Sequence, residues 1–131
     1  MTSANNTNSY GGGSRPNSTG VSAELSGPVV DRLNRYFDVS AFTQPDLFTF
    51  GNVSRTLPDV RGPAMVNFDL SVIKNIPMTE RIKAQLRGEA FNAFNNVNFG
   101  LPDTAFGSPA FGQITTAGGA RIIQIGLKIN F

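Results

Sequence analysis

The chain has 131 residues, 40% of them hydrophobic, and carries 11 Lys and Arg against 9 Asp and Glu for a net charge of +2, with neither Cys nor His. That length fits one domain, and basic residues scattered singly exclude the positive stripe of a nucleic-acid binder. Without Cys or His there is no disulfide framework, no zinc-type ligand set and no Ser-His-Asp or Cys-His nucleophile, so no catalytic, cofactor-binding or metal-binding residue is expected.

The opening "MTSANNTNSYGGGSRPNSTG" is Asn, Ser, Thr and Gly with one aromatic, Tyr10. It cannot bury enough surface to offset its ordering entropy, so residues 1–20 are expected as loop or disorder. This start has neither the basic residues nor the apolar stretch of a secretory signal. No run of about 18 apolar residues follows, which excludes a helical membrane span. A membrane-spanning strand needs only about 9 to 11 alternating residues and stays open.

Residues 21–64 read as an irregular excursion with one helical signal, "SGPVVDRLNRYFDVS". Pro28 suits a first helical position, and Val29, Val30, Leu33, Tyr36 and Phe37 recur at helical spacing, so a short helix is expected near 28–37. Pro45, Pro58 and Pro63 cut the remainder, leaving at most one extended piece near Leu47 to Phe50.

From residue 65 the period changes to two. Val66, Phe68, Leu70 and Val72 alternate with Asn67, Asp69 and Ser71, predicting a first strand over 66–74 with one apolar face. Ile82, Ala84 and Leu86 alternate with Arg81, Lys83, Gln85, Arg87 and Glu89, predicting a second over 82–94, with a phase shift between Gly88 and Phe91 that a bulge or bend seated at Gly88 would explain. Ile123, Ile125, Leu127, Ile129 and Phe131 alternate with Gln124, Gly126, Lys128 and Asn130, predicting a third over 121–131.

The connections alternate in length: "NIPMTE" joins the first two strands, whereas roughly 25 residues rich in Gly, Pro and Asn separate the second from the third. A loop of that length is out of place in a small soluble domain but normal on the extracellular side of an outer-membrane barrel. The pattern predicts an all-β fold: an antiparallel transmembrane β-barrel fragment, the last three or so strands, with long extracellular loops and one short helix. The apolar positions Val66, Phe68, Leu70, Val72, Ile82, Leu86, Ile123, Ile125 and Leu127 then face outer-membrane lipid. A turn centred on Met78 would set Asp69 opposite Arg87 as a lumen pair, with Asn67 opposite Glu89 and Leu70 opposite Leu86.

The final strand resembles the C-terminal assembly signal of bacterial outer-membrane barrels. Gln124, Gly126, Ile129 and Phe131 occupy its polar, glycine and two aromatic places, and Ile129 departs by being aliphatic. More specifically, "FGNVSRTLPDVRGP", "RGEAFNAFNNVNFG" and "FGSPAFGQITTAGGARIIQIGLKINF" resemble the C-terminal end of TonB-dependent receptors, most closely the Oar-type group with a carboxypeptidase-regulatory-like domain, over about residues 36–131.

The resemblance implies a bacterial outer-membrane location and a parent barrel of about 22 strands around a plug. It also implies partnership with the rest of that barrel and plug and with the barrel-assembly machinery, and contact with TonB only through a segment upstream of this chain. Three strands cannot close a barrel, so the chain is expected not to insert stably alone. The alternative is a small secreted or surface-exposed antiparallel β binding module using its aromatic loops.

Other features invite weaker readings. The Phe-Gly pairs at Phe50, Phe99, Phe106 and Phe111 are irregularly spaced and read as aromatic anchors in a loop. The clusters "YGGGS" and "TAGGAR" lack the Lys and hydroxyl residues of a phosphate loop. No pair among the acids suits general acid and base roles, and an enzyme is not expected.

Overall fold

The computed structural model describes residues 1–4 and 13–131. Tyr10 and most of "YGGGS" lie outside the described residues. The chain divides into two compact units, one of residues 1–63 with 99–116 and one of residues 64–98 with 117–131.

The first unit has little regular structure and a core of its own. Strand β1 (Asn17–Ser18) pairs antiparallel with β2 (Phe42–Thr43), and Ala23, Tyr36, Phe37, Ala41, Phe42, Val53 and Ile114 are buried together. Phe37, Phe42 and Phe111 meet edge to face at centroid distances of 5.2 to 5.8 Å, and Phe106 meets Phe111 at 5.3 Å. Such pairs add about 0.5–1.5 kcal/mol each beyond burial. The Phe106 and Phe111 rings thus anchor the segment 99–116 into this core, and the stretch 21–64 is not a bare surface excursion.

The helix expected near 28–37 is a 3₁₀ helix over Val29–Arg32, with a second over Val39–Ala41. Tertiary partners take the atoms a longer helix would use. The Leu33 carbonyl accepts from Ile114 N at 2.8 Å, and Tyr36 N donates to the Gly112 carbonyl at 2.7 Å. The Arg32 guanidinium lies 4.8 Å from the Tyr36 ring centre and donates to the Leu25 and Tyr36 carbonyls.

Residues 13–20 are tied down by more than composition suggests. Pro16 is fully buried, its carbonyl accepts from Val53 N at 3.2 Å, Asn17 Oδ1 accepts from Asn52 N at 3.1 Å, and Asn52 Oδ1 accepts from Ser18 N at 2.7 Å. Gly51 is required here, because a Cβ would collide with the Arg15 carbonyl. Near Leu47 to Phe50 the chain makes a turn rather than an extended piece: Thr49 N and Oγ1 both donate to the Asp46 carbonyl, and Phe48 has φ 64°.

The second unit is a three-stranded antiparallel sheet in the order β3-β4-β5: β3 (Leu70–Pro77), β4 (Lys83–Phe91) and β5 (Ile122–Asn130). The first strand thus starts four residues later than its alternation suggested and runs through "NIP". The register also differs from the charge-guided expectation. Leu70 lies opposite Ala90, Ile73 opposite Arg87 and Lys74 opposite Leu86. Arg87 therefore faces Ile73 and not Asp69, Glu89 faces Ser71 and not Asn67, and Leu70 does not face Leu86.

Turn chemistry decided the register. Met78 N and Thr79 N both donate to the Ile82 carbonyl at 3.0 Å, and the Thr79 hydroxyl accepts from Ile82 N at 3.0 Å, centring the turn on Glu80. Asp69 finds other donors, Asn92 N at 2.9 Å and the Asn67 amide at 2.9 Å. Pairing is unbroken through Gly88, which lies between Val72 and Ile125, so no bulge sits there. The slip comes at Asn92 (φ 49°), where the chain leaves the ladder and turns, Asn95 N donating to the Asn92 carbonyl at 2.8 Å.

Candidate functional site

The register sorts the sheet into two chemically distinct faces. On one, four cross-strand rows run Leu70-Ala90-Ile123, Val72-Gly88-Ile125, Lys74-Leu86-Leu127 and Ile76-Ala84-Ile129. Apart from Lys74 this face is apolar. Its large side chains are uncovered: Ile123 is 67% exposed, Ile125 77%, Leu127 67% and Ile129 53%, and Phe131 beyond the strand is fully exposed. In water so contiguous an apolar surface would be strongly unfavourable.

The opposite face carries Ser71, Asn75, Lys83, Gln85, Arg87, Glu89, Gln124, Lys128 and Asn130, with Ile73, Phe91 and Ile122 among them. Polar groups there pair with one another. Gln85 Nε2 donates to Asn75 Oδ1 across the strands at 2.8 Å, and Arg87 Nη2 meets Glu89 Oε1 at 2.6 Å along β4. Gly126 lies opposite Arg87, and a Cβ at Gly126 would meet open space.

Of the residues expected on the apolar face, Leu70, Val72, Leu86, Ile123, Ile125 and Leu127 lie on it. Val66 and Phe68 precede β3, and Ile82 lies in the turn. The assembly-signal residues Gln124, Gly126 and Ile129 lie in β5, Gln124 and Gly126 on the polar face and Ile129 on the apolar one; Phe131 follows the strand.

Sequence reasoning missed the asparagine cluster that closes the sheet at the end away from the hairpin. Asn92, 7% exposed, donates from Nδ2 to the carbonyls of Asn96 (3.0 Å) and Gly119 (3.2 Å) and accepts from Asn96 N at Oδ1 (2.9 Å). Asn95 Oδ1 accepts from Arg121 N at 3.0 Å, and Asn98 Oδ1 from Val66 N at 2.8 Å. Side-chain amides thus tie together the approaches to all three strands. The signal was present as four asparagines in "NAFNNVN", a residue type that tolerates positive φ and bonds nearby backbone.

Titration effects outside the strands fall on acids of the first unit. The Ser22 hydroxyl, 2.9 Å from Asp59 Oδ2, holds that carboxyl below the usual range. Ala105 N, 2.9 Å from Asp103 Oδ1, and the Ser108 hydroxyl do the same for Asp103. The Ser40 hydroxyl and the Arg35 guanidinium lower Asp38. Each carboxylate organises a turn, and among the described residues no cluster of His, Cys, Asp or Glu could hold a metal ion.

The geometry is that of a wall with one oily side and one wet side, the arrangement of strands in transmembrane barrels. Comparison with known families agrees: residues 1–124 match the family of the outer membrane beta barrel domain. No curated protein and no solved structure matches the chain. The chain belongs to the outer membrane beta barrel domain family, resides in the outer membrane, and contributes three antiparallel strands to a transmembrane β-barrel.

Proposed function

We propose that the chain is the C-terminal part of the barrel of a TonB-dependent outer-membrane receptor, carrying no reaction of its own. In this reading the hairpin between β3 and β4 is periplasmic, the apolar face meets lipid, the polar face lines the lumen, and the connection from β4 to β5 lies outside the cell. The reading is carried by the uncovered aliphatic face and by the likeness of β5 to the assembly signal. A cavity of about 440 Å³ in the first unit, walled by Tyr36, Phe37, Arg55, Leu57 and Leu101, falls in the size range of small-molecule sites and supports a cargo-meeting role for the loops.

A surface-exposed binding module would need a second apolar layer over β3, β4 and β5. None of the large aliphatic residues of that face joins the buried core cluster, which favours the receptor. The test is to purify the assembled barrel containing this chain from outer membranes and pass it over the periplasmic domain of TonB. Retention is expected; a barrel without a plug that does not bind TonB would reassign the chain to another class of outer-membrane barrel.

A further inference from the structure

Lys74 interrupts an otherwise apolar face. It shares that face with Val72 before it and Ile76 after it, and it lies opposite Leu86. The face carries no acid in any of its four rows, and the ion pairs among the described residues are Arg35–Asp38 and Arg87–Glu89. An ammonium on a lipid-facing surface with no carboxylate on its own face of the three strands extends toward the interface, where lipid phosphates lie.

Beside Lys74 the same face has a groove. Gly88 and Ala90, with the backbone at Glu89 between them, leave its floor low, and Leu70 and Val72 rise on one side and Ile123 and Ile125 on the other, outlining a shallow, open depression of about 400 Å³. A second open depression of about 220 Å³ shares Val72, Gly88 and Ile125 with it and is bordered also by Lys74, Leu86 and Arg87. The two depressions therefore adjoin, both apolar, and Lys74 borders them at the end nearer the hairpin.

We propose that this feature holds a phospholipid of the periplasmic leaflet, an acyl chain in the groove over Gly88 and the headgroup phosphate on Lys74. The proposal rests on the orientation given above, with the hairpin in the periplasm. Lys74 is four residues from Met78, about 13 Å along the strand at about 3.3 Å per residue, and strand tilt brings this to about 10 Å in depth. The flexible stem spans that interval in part by lying along Ile76 and directing its ammonium toward the phosphates.

The test uses the assembled barrel reconstituted in vesicles of phosphatidylethanolamine and phosphatidylglycerol, then extracted in mild detergent for native mass spectrometry. Retained phospholipid is expected to fall at least fivefold in Lys74→Met and in Gly88→Val and to persist in Lys74→Arg. Gly88→Val fills the groove without a backbone clash, since a Cβ there meets nothing within 4 Å. A bimane label on Leu127→Cys, in vesicles with brominated acyl chains, reports separately whether the face lies in lipid. Quenching with phospholipid retention unchanged in Lys74→Met and Gly88→Val overturns the lipid site and leaves the wall intact. Absence of quenching removes the wall assignment and this proposal with it.

Discussion

Ile125→Lys and Gln124→Lys place the same charge one residue apart on opposite faces of β5, and the two-faced wall predicts sharply different results. Ile125 is 77% exposed, so lipid covers roughly three quarters of a side chain whose full burial is worth about 1.5–3 kcal/mol, giving about 1–2 kcal/mol lost on truncation. A Lys on the lipid face near mid-membrane costs about 2–4 kcal/mol more. The sum, about 3–6 kcal/mol, shifts the folding equilibrium by roughly two to four orders of magnitude. Gln124 lies opposite Glu89 on the polar face, where a new ammonium meets a carboxylate and should change stability by no more than about 0.5 kcal/mol. Urea titration of the assembled barrel in vesicles, read by its heat-modifiable gel mobility, measures both. Equal losses, or a larger loss for Gln124→Lys, would refute the assignment of the two faces.

Three further outcomes are expected. Asn92→Ala removes three side-chain hydrogen bonds at about 0.5–1.5 kcal/mol each, a loss of about 2–4 kcal/mol, and hydrogen exchange should rise at Asn96 N while the amides of β4 stay protected. Gly51→Ala forces a Cβ into the Arg15 carbonyl, so the Val53 N to Pro16 bond should break and the first unit should become sensitive to limited proteolysis near residues 15–20. Asp38, Asp59 and Asp103 all titrate below their ordinary 3.8 in the folded state, so their contribution is fully present above that value and is lost as pH falls through the folded values. Acid titration followed by the aromatic signal should show loosening below about pH 4, with Asp59→Asn shallower than the parent.

Period-two alternation made the strands legible because each has one face against hydrocarbon and one against water, and Ile123 through Ile129 keep that phase without error. Register was not legible. Charge complementarity between Asp69 and Arg87 is weak on a wet face, whereas the Thr79 hydroxyl and the Ile82 carbonyl fix the turn geometrically. The first unit was hidden for a different reason: its core joins Phe37 and Phe42 to Phe106 and Phe111 across more than sixty residues, a contact no local window reveals. In the same way the helical spacing from Val29 to Phe37 ended in burial at Tyr36 and Phe37, with Val30 left exposed, but not in a helix of that length, because Gly112 and Ile114 claim the backbone groups at Tyr36 and Leu33.

The interlocked phenylalanines have a consequence for anyone who would exchange loops between related barrels. Transplanting residues 99–116 alone would deliver Phe111 without the Phe37 and Phe42 rings that receive it, and would leave Phe37 and Phe42 without Phe111 in the donor. The smallest graft that travels intact is therefore discontinuous: two stretches of sequence, moved together, or neither.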